Sequence, residues 1–315
     1  MFSRFLRQDG RRYARAVADL GTGHAASTAL AVFARLGMEG RSIPYNRPIE
    51  EHVRLLHQFQ PEVLYTMPSI LEHILLAAED PAAFRIQKVI LVGETATPLW
   101  MRHAAARLGL NFTDILDTYG SIELGTIAYY SHEHGRYLLL EGLFAEGIAM
   151  TDLPEFSETL ATGEQILVLT SLARKLFPAV RFVTYDVVRD LRPVSVNGKE
   201  VQSFQSIVKR VGKELKHGEK ISIYDIEQCV FSHLPDSRIR VEVAGTRLKV
   251  HIQSGGIDET VLAVLRREIP GQIPEIGQMI ENRLLDEIEV VPVKGENGIK
   301  SGSVKNKKIY YGPKD

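Results

Sequence analysis

Cysteine is nearly absent: Cys229 is alone among 315 residues. That excludes an internal disulfide and a cysteine-rich zinc centre, and it suits a reducing compartment. Long apolar runs are missing too. None reaches the roughly 18 residues of a membrane-spanning helix, so no membrane partner is expected. An excess of either charge is also lacking. Lys and Arg number 38 against 39 Asp and Glu, a formal net charge of −1, which removes the bulk electrostatic case for nucleic acid. The opening Met1-Phe2-Ser3-Arg4 does not lead from a basic region into an apolar core, so no secretory signal is expected and the cytoplasm is the expected location. Neither Gly-x-Gly-x-x-Gly nor Gly-Lys-Ser/Thr occurs, which leaves out the Rossmann and Walker phosphate loops. What remains is an ordinary globular balance, 44% hydrophobic and 24% charged, with length for two domains.

Residues 1–40 read as a helix, a glycine break over Leu20–Thr28, and another helix. Backbone N–H groups of such a break can hold phosphate, although an ordinary capped helix start is the better reading. Glu50–Gln60 is helical, with Val53, Leu56 and Phe59 on one face, and Pro61 stops it. A strand over Pro61–Tyr65, a helix from Pro68, a strand over Lys88–Val92 and a helix over Leu99–Leu108 follow. This alternation is the α/β signature, with ligands at the carboxyl ends of strands. Gly93-Glu94-Thr95 and Asp117-Thr118-Tyr119-Gly120-Ser121-Ile122-Glu123 both fall at such ends. In the second stretch Tyr119 offers a ring to stack on a base. Gly120 permits a tight turn and close approach of a ligand. Glu123 offers a carboxylate of the kind that, with phosphate oxygens, holds Mg²⁺.

Thr126–Tyr130 and Tyr137–Leu140 form a hairpin about Glu133-His134-Gly135. His132 and His134 have no third ligand nearby, so a solvated turn is favoured over a metal site. Glu164–Thr170 and Val180–Val188 are strands, and residues 191–206 lack pattern apart from the turn Val196-Asn197-Gly198. The basic stretch Val208–Ser222 reads as an exposed linker. Beyond it, a helix carries Ile223, Ile226, Val230 and Phe231 on its apolar face, with Ser222 and Asp225 as a cap and Cys229 structural. A hairpin (Ile239–Val243, Leu248–Ile252), a helix (Ile257–Ile269) and a strand (Asp286–Val293) complete a compact α+β domain.

Tyr119-Gly120-x-x-Glu123 between strands resembles the adenine-and-magnesium motif of the adenylate-forming enzymes, the acyl-CoA synthetase superfamily, and in particular its phenylacetate–CoA ligase-like branch. Ile122 stands where that family usually has Thr, whose hydroxyl reaches phosphate. Pro61–Ser69 resembles the segment before the family's pocket, and Leu138–Gly147 a border of its acyl pocket. Gly93-Glu94-Thr95 resembles the stretch lining the adenine, although Glu94 reads equally well as a carboxylate at a helix N-terminus. Pro178…Arg181-Phe182-Val183-Thr184-Tyr185-Asp186 resembles Pro…Arg-Tyr-x-Thr-Gly-Asp, whose Asp takes the ribose hydroxyls; Tyr185 replaces the Gly. Val208–Ser222 resembles the hinge before a rotating lid. The tail Gly295–Lys308 resembles one that swings a lysine into the site, with Ser301-Gly302-Ser303 for the usual Ser-Gly-Lys and Lys300 and Lys305 on either side; a solvated basic tail fits it as well.

The resemblance implies a shortened adenylate-forming fold: an α/β large domain over residues 1–206 and a small α+β C-terminal lid over 207–315. The family's Ser/Thr/Gly-rich phosphate loop and its Lys have no counterpart, so the chain is expected to start partway through the large domain. ATP or AMP would contact Gly93, Glu94, Thr95, Asp117, Tyr119, Gly120, Ser121, Asp186 and Arg210. Mg²⁺ would sit at Glu123, and Lys305 or Lys300 would be catalytic. The implied activity is activation of a carboxylic acid as acyl-AMP and its transfer to CoA, a carrier protein's thiol or an amine, and the implied assembly extends to a homodimer. The competing reading is a non-catalytic adenylate-binding or regulatory module that has lost the phosphate loop.

Overall fold

In a computed structural model, residues 1–20, 23–44, 47–153, 160–171, 178–211, 223–244, 246–281, 285–293 and 309–311 are described. They fall into two compact units, one built on residues 1–143 and the other on most of the chain from 144 onward.

The first unit runs α1 (Phe2–Phe5), β1 (Arg15–Leu20), α2 (Gly23–Arg35), β2 (Glu39–Pro44), α3 (Ile49–Phe59), β3 (Val63–Thr66), α4 (Pro68–Ala77), β4 (Lys88–Val92), α5 (Pro98–Leu108), β5 (Ile115–Ser121), β6 (Gly125–Ser131) and β7 (Arg136–Leu139). Its strands lie in the order β2-β1-β3-β4-β5-β6-β7. The first five are parallel, and β6 and β7 return antiparallel. Parallel strands are covered on both faces and so read as near-continuous apolar runs, as Val89-Ile90-Leu91 does. Lys88 opens β4 from a buried position, where its ammonium donates to Asp114 at 2.7 Å and lies over the Phe5 ring. A buried charge requires such pairing. Helix ends follow local chemistry. Gln60 stops α3 in the left-handed region at φ 51°. The Thr97 hydroxyl accepts the Trp100 N–H at 3.2 Å to start α5, and Gly109 ends it at φ 69°.

The expected first helix is mostly absent. Residues 15–20 form a strand, every residue after Arg15 is buried, and β1 sits between β2 and β3. Tertiary pairing here overrides local propensity.

The second unit contains β8 (Leu143–Ile148), β9 (Glu164–Ser171), β10 (Ala179–Arg189), β11 (Arg192–Val196), β12 (Lys199–Phe204), β13 (Ser206–Arg210), α6 (Ile223–His233), β14 (Arg238–Ala244), β15 (Arg247–Gln253), α7 (Glu259–Gln272), α8 (Pro274–Glu281), β16 (Glu289–Pro292) and β17 (Ile309–Tyr311). Two four-stranded sheets have the orders β13-β10-β9-β8 and β16-β15-β14-β17. Residues 192–204, expected to lack pattern, form a hairpin in which Val196 faces Lys199. Asn197 and Gly198 turn it at φ 52° and 76°, the positive pair that a two-residue hairpin loop requires. Ile226, Cys229, Val230 and Phe231 are buried on α6, and Asp258 caps α7 by accepting the Val261 N–H at 2.9 Å. Helix α8 and strand β17 add to the elements expected in this α+β region. The linker expected over Val208–Ser222 is corrected at its start, where Val208–Arg210 belong to β13 and Val208 and Val211 are buried; its residues 212–222, and Lys300, Lys305 and Ser301–Ser303, lie outside the described residues. Among those described, no helix is long and apolar enough to cross a membrane. The architecture is α/β with a large parallel-rich sheet and a small C-terminal sheet.

Candidate active site

In the first unit the parallel strands bring their carboxyl ends to one edge, where α/β folds bind ligands. β4 and β5 are neighbours with Val92 opposite Thr118; Gly93–Thr95 leave the sheet there, while Tyr119–Ser121 stay in β5, paired with β6, and only Ile122–Leu124 form the turn. Gly93 turns at φ 85°. The Glu94 carboxylate then accepts the backbone N–H of Ser69 at 2.8 Å and its hydroxyl at 2.9 Å. Ser69 lies in the first turn of α4, whose own preceding residue Met67 supplies no side-chain cap. Glu94 therefore caps a helix from the adjacent loop, and its negative charge complements the helix dipole. The cap is on α4, not on the helix that follows Glu94 in sequence.

Asp117 sits inside the sheet, 1% exposed. Its carboxyl accepts the hydroxyl of Tyr137 from β7. Burial pushes its pKa up to about 7, against the opposing hydrogen bonds from Tyr137 and the Thr118 backbone. Tyr119, half-buried, lies two residues on in β5, opposite Ala128 of β6. At Gly120 a Cβ would stand 2.5 Å from the Gly125 carbonyl oxygen and 3.1 Å from the Thr126 Cα. The glycine is thus demanded by closure of the hairpin on itself, where the β5–β6 register shifts. Ser121 Oγ accepts the Leu124 N–H at 3.2 Å, and Gly125 completes the turn at φ 74°. Ile122 projects from the tip, 84% exposed, and Glu123 beside it is exposed.

Among the described residues no three His, Cys, Asp or Glu side chains cluster as a metal centre. A single carboxylate such as Glu123 fits Mg²⁺, which is held by one or two carboxylates with phosphate and water completing its octahedron. His132 is occupied structurally. Its Nε2 is 2.7 Å from the Ile115 carbonyl, its ring packs edge-on against Phe112, and burial lowers its pKa. His134 Nδ1 lies 3.0 Å from Ser131 Oγ.

In the second unit Asp186 and Arg210 face each other across β10 and β13, with Arg210 Nε 3.9 Å from the Asp186 carboxylate. The Asp186 N–H donates to Thr184 Oγ1 at 3.1 Å, and that hydroxyl donates to the Leu167 carbonyl at 2.8 Å. Tyr185 between them has φ 60°. This is the left-handed region that favours glycine, held here by a tyrosine.

One buried pair of ionisable residues was not foreseen from the sequence. Asp19, at the carboxyl end of β1, and His52, on α3, are 1% and 2% exposed, with His52 Nδ1 2.6 Å from Asp19 Oδ2 and Nε2 3.2 Å from the Arg47 carbonyl. The other Asp19 oxygen is buried without a partner. Burial raises the pKa of Asp19. Burial also pulls on His52, but the bond and charge of Asp19 outweigh it and the net shift is upward. The signal was the spacing of His52, Leu56 and Phe59, which share the buried face of α3.

Residues 216–295 match the family model described as the fumarate–diaminopropanoate ligase C-terminal domain. Fumarate–(S)-2,3-diaminopropanoate ligase of Enterobacter agglomerans is 34% identical over 281 residues, covering 89% of this chain and 70% of that protein. The chain belongs to this ligase family. Its fold is that of the adenylate-forming superfamily. A 2-hydroxyisobutyryl-CoA ligase in the postadenylation state, in complex with R3-HIB-AMP, superposes with a TM-score of 0.71 at 15% identity, over 98% of this chain and 68% of that one. A benzoate CoA ligase from Burkholderia xenovorans LB400 gives 0.56 at 15% identity, over 95% and 60%. The adenylate-forming fold expected from the sequence is thus found; the phenylacetate–CoA ligase-like branch is not what the relative's name gives.

Proposed function

We propose that this chain uses ATP to activate a carboxylic acid as acyl-AMP and passes the acyl group to an amine, forming an amide. The observation that carries the reading is the 34% identity, over most of the chain, to a ligase whose name joins fumarate to a diamino acid. A dicarboxylic acid is accordingly the substrate class and a diamino acid the acceptor class. In the first half-reaction the carboxylate oxygen attacks the α-phosphorus and pyrophosphate leaves. Two anions must meet, so neutralising charge is the main demand on the protein.

Tyr119 would stack on the adenine, Asp186 would accept the ribose hydroxyls, and Gly93–Thr95 with Ser121 would border the nucleotide, Arg210 holding Asp186 in place. Glu123 would hold Mg²⁺, which when bound shields the phosphates. Lys300 or Lys305 would bring a cation from the tail once the region beyond 206 closes as a lid. In the second half-reaction the amine nitrogen, having lost a proton, attacks the acyl carbon and AMP leaves.

The test is acid-dependent ATP–pyrophosphate exchange followed by product analysis. Exchange with fumarate-like dicarboxylates, lost in Glu123→Ala, and an amide with AMP on adding a diamino acid are expected. A thioester formed with CoA instead of an amide would move the acceptor to a thiol. AMP binding without exchange on any acid would leave a non-catalytic module.

A further inference from the structure

A second charged concavity lies at the opposite edge of the first unit's sheet. Gly10–Tyr13 precede β1 and Arg35–Met38 join α2 to β2, so both segments stand at the amino ends of parallel strands. With α1 they line a cleft of about 630 Å³ into which Arg7, Arg11, Arg12 and Arg35 are gathered, and no acidic residue lines it. Acids close to its lining residues are engaged elsewhere. Glu62 accepts the backbone N–H groups of Ala14 and Arg15. Asp9 takes the Tyr13 hydroxyl at 2.6 Å and the Arg11 backbone N–H at 3.1 Å, and stands 3.8 Å from the Lys88 ammonium. Glu39 pairs with Arg41 at 3.2 Å. The Arg11 side chain donates to the neutral Gln87 amide at 3.0 Å. Arg7, Arg12 and Arg35 form no ion pair among the described residues.

We propose that this cleft is a binding site for a phosphate-bearing anion of nucleotide size, separate from the candidate active site. Guanidinium forks match phosphate oxygens two at a time, and four like charges along one concave wall add their fields. The volume falls within the roughly 300–1,000 Å³ of small-molecule sites. Leu6, Leu36 and Met38 give the cleft an apolar floor that suits a base or sugar more than water. The carboxyl end of α2 opposes an anion with about half an elementary charge, which four full positive charges outweigh. A six-residue strand such as β1 spans about 20 Å, so an occupant here would not reach the Tyr119–Glu123 turn.

The experiment is calorimetric titration of the full chain with inorganic tripolyphosphate and, in a separate arm, with GDP. Saturable binding that weakens with added salt is expected. It should fall at least tenfold in the Arg12→Gln/Arg35→Gln double variant and stay unchanged in Glu123→Ala. Because both arginines are exposed, the double variant should keep its circular dichroism spectrum. GDP binding tighter than tripolyphosphate identifies a nucleotide occupant, and the reverse identifies a polyphosphate; either outcome supports the site. The proposal is overturned if neither probe binds below about 1 mM, if the double variant binds as the wild type does, if Glu123→Ala loses binding equally, or if poly-glutamate binds as tightly as tripolyphosphate.

Discussion

Ser69 donates both its backbone N–H and its hydroxyl to the Glu94 carboxylate, at 2.8 and 2.9 Å. This contact ties the loop after β4 to the start of α4 and fixes one wall of the edge where the candidate nucleotide site lies. Losing an N-terminal cap costs about 1–2 kcal/mol, and the charged acceptor favours the upper end. Glu94→Ala is expected to lower the melting temperature by several degrees and to raise the KM for ATP as the loop loosens. Glu94→Gln keeps an oxygen acceptor and should recover at least half of the lost stability. Equal melting temperatures for wild type and Glu94→Ala would remove the cap from the account.

Asp117 makes a prediction about pH. Its pKa, raised to about 7 by burial, stands about three units above an unfolded carboxyl. The folded state therefore binds the proton more tightly, and stability falls as pH rises from about 4 to about 7, then levels off. At about 1.4 kcal/mol per unit, the whole span is on the order of 4 kcal/mol. Asp117→Asn keeps the shape and cannot ionise. Chemical unfolding at pH 5 and pH 8 should show the variant gaining on wild type at the higher pH by a few kcal/mol. A difference that stays constant with pH would mean Asp117 does not titrate there.

These two residues show what the sequence could tell. Gly93-Glu94-Thr95 was legible as a strand-end loop because the run before it, Lys88–Val92, is apolar in the manner of a buried parallel strand; Tyr119–Ser121 instead continue β5 into its pairing with β6, and the turn begins only at Ile122. Which carboxylate would be buried was not legible, since Asp117 is put inside by a partner, Tyr137, twenty residues on. Residues 15–19 were read as part of a helix ahead of the Leu20–Thr28 break; the strand identity of β1 comes from the neighbours on both sides. The β11–β12 hairpin hid for the converse reason. Its strands carry exposed Arg192, Lys199 and Glu200, and the Asn197-Gly198 turn was its one strong local signal.

Gly120 is held to glycine by the backbone of the facing strand, 2.5 Å from where a Cβ would be. Neither the Gly125 carbonyl nor the Thr126 Cα is the end of a flexible side chain, so the hairpin itself must open. Gly120→Ala is expected to cost about 1–3 kcal/mol, the usual range for overpacking, and to shift the exposed Ile122–Glu123 tip. Thermal unfolding measures the first effect and acid-dependent pyrophosphate exchange the second. Wild-type values for both would show that the turn has more room than this geometry gives it.

Tyr185 adopts φ 60° while packing against the cluster around Ile166 and Val187. The left-handed backbone costs a non-glycine residue about 1–2 kcal/mol, and burying part of the ring offsets a similar amount. Tyr185→Gly is therefore expected to be close to neutral, within about 1 kcal/mol. Tyr185→Val loses the ring and adds a β-branched side chain at positive φ, so it should cost more than 2 kcal/mol. Denaturant midpoints order the three chains; valine ranking above glycine would contradict the assigned strain.

Asp19 and His52 form a buried pair of ionisable groups joined by one short hydrogen bond, which leaves the second Asp19 oxygen without a partner. Removing one leaves the other stranded in low dielectric, at a cost of about 3–5 kcal/mol. Replacing both with apolar groups of similar volume removes the desolvation burden along with the attraction. His52→Leu alone is expected to destabilise strongly, as is Asp19→Leu alone. The double variant should lose clearly less than the sum of the two, by at least 1–2 kcal/mol of coupling. The cycle is read from denaturant unfolding of the four chains at one pH. Additive losses would mean that each residue acts through its own packing, and that the short contact between them contributes nothing to the fold.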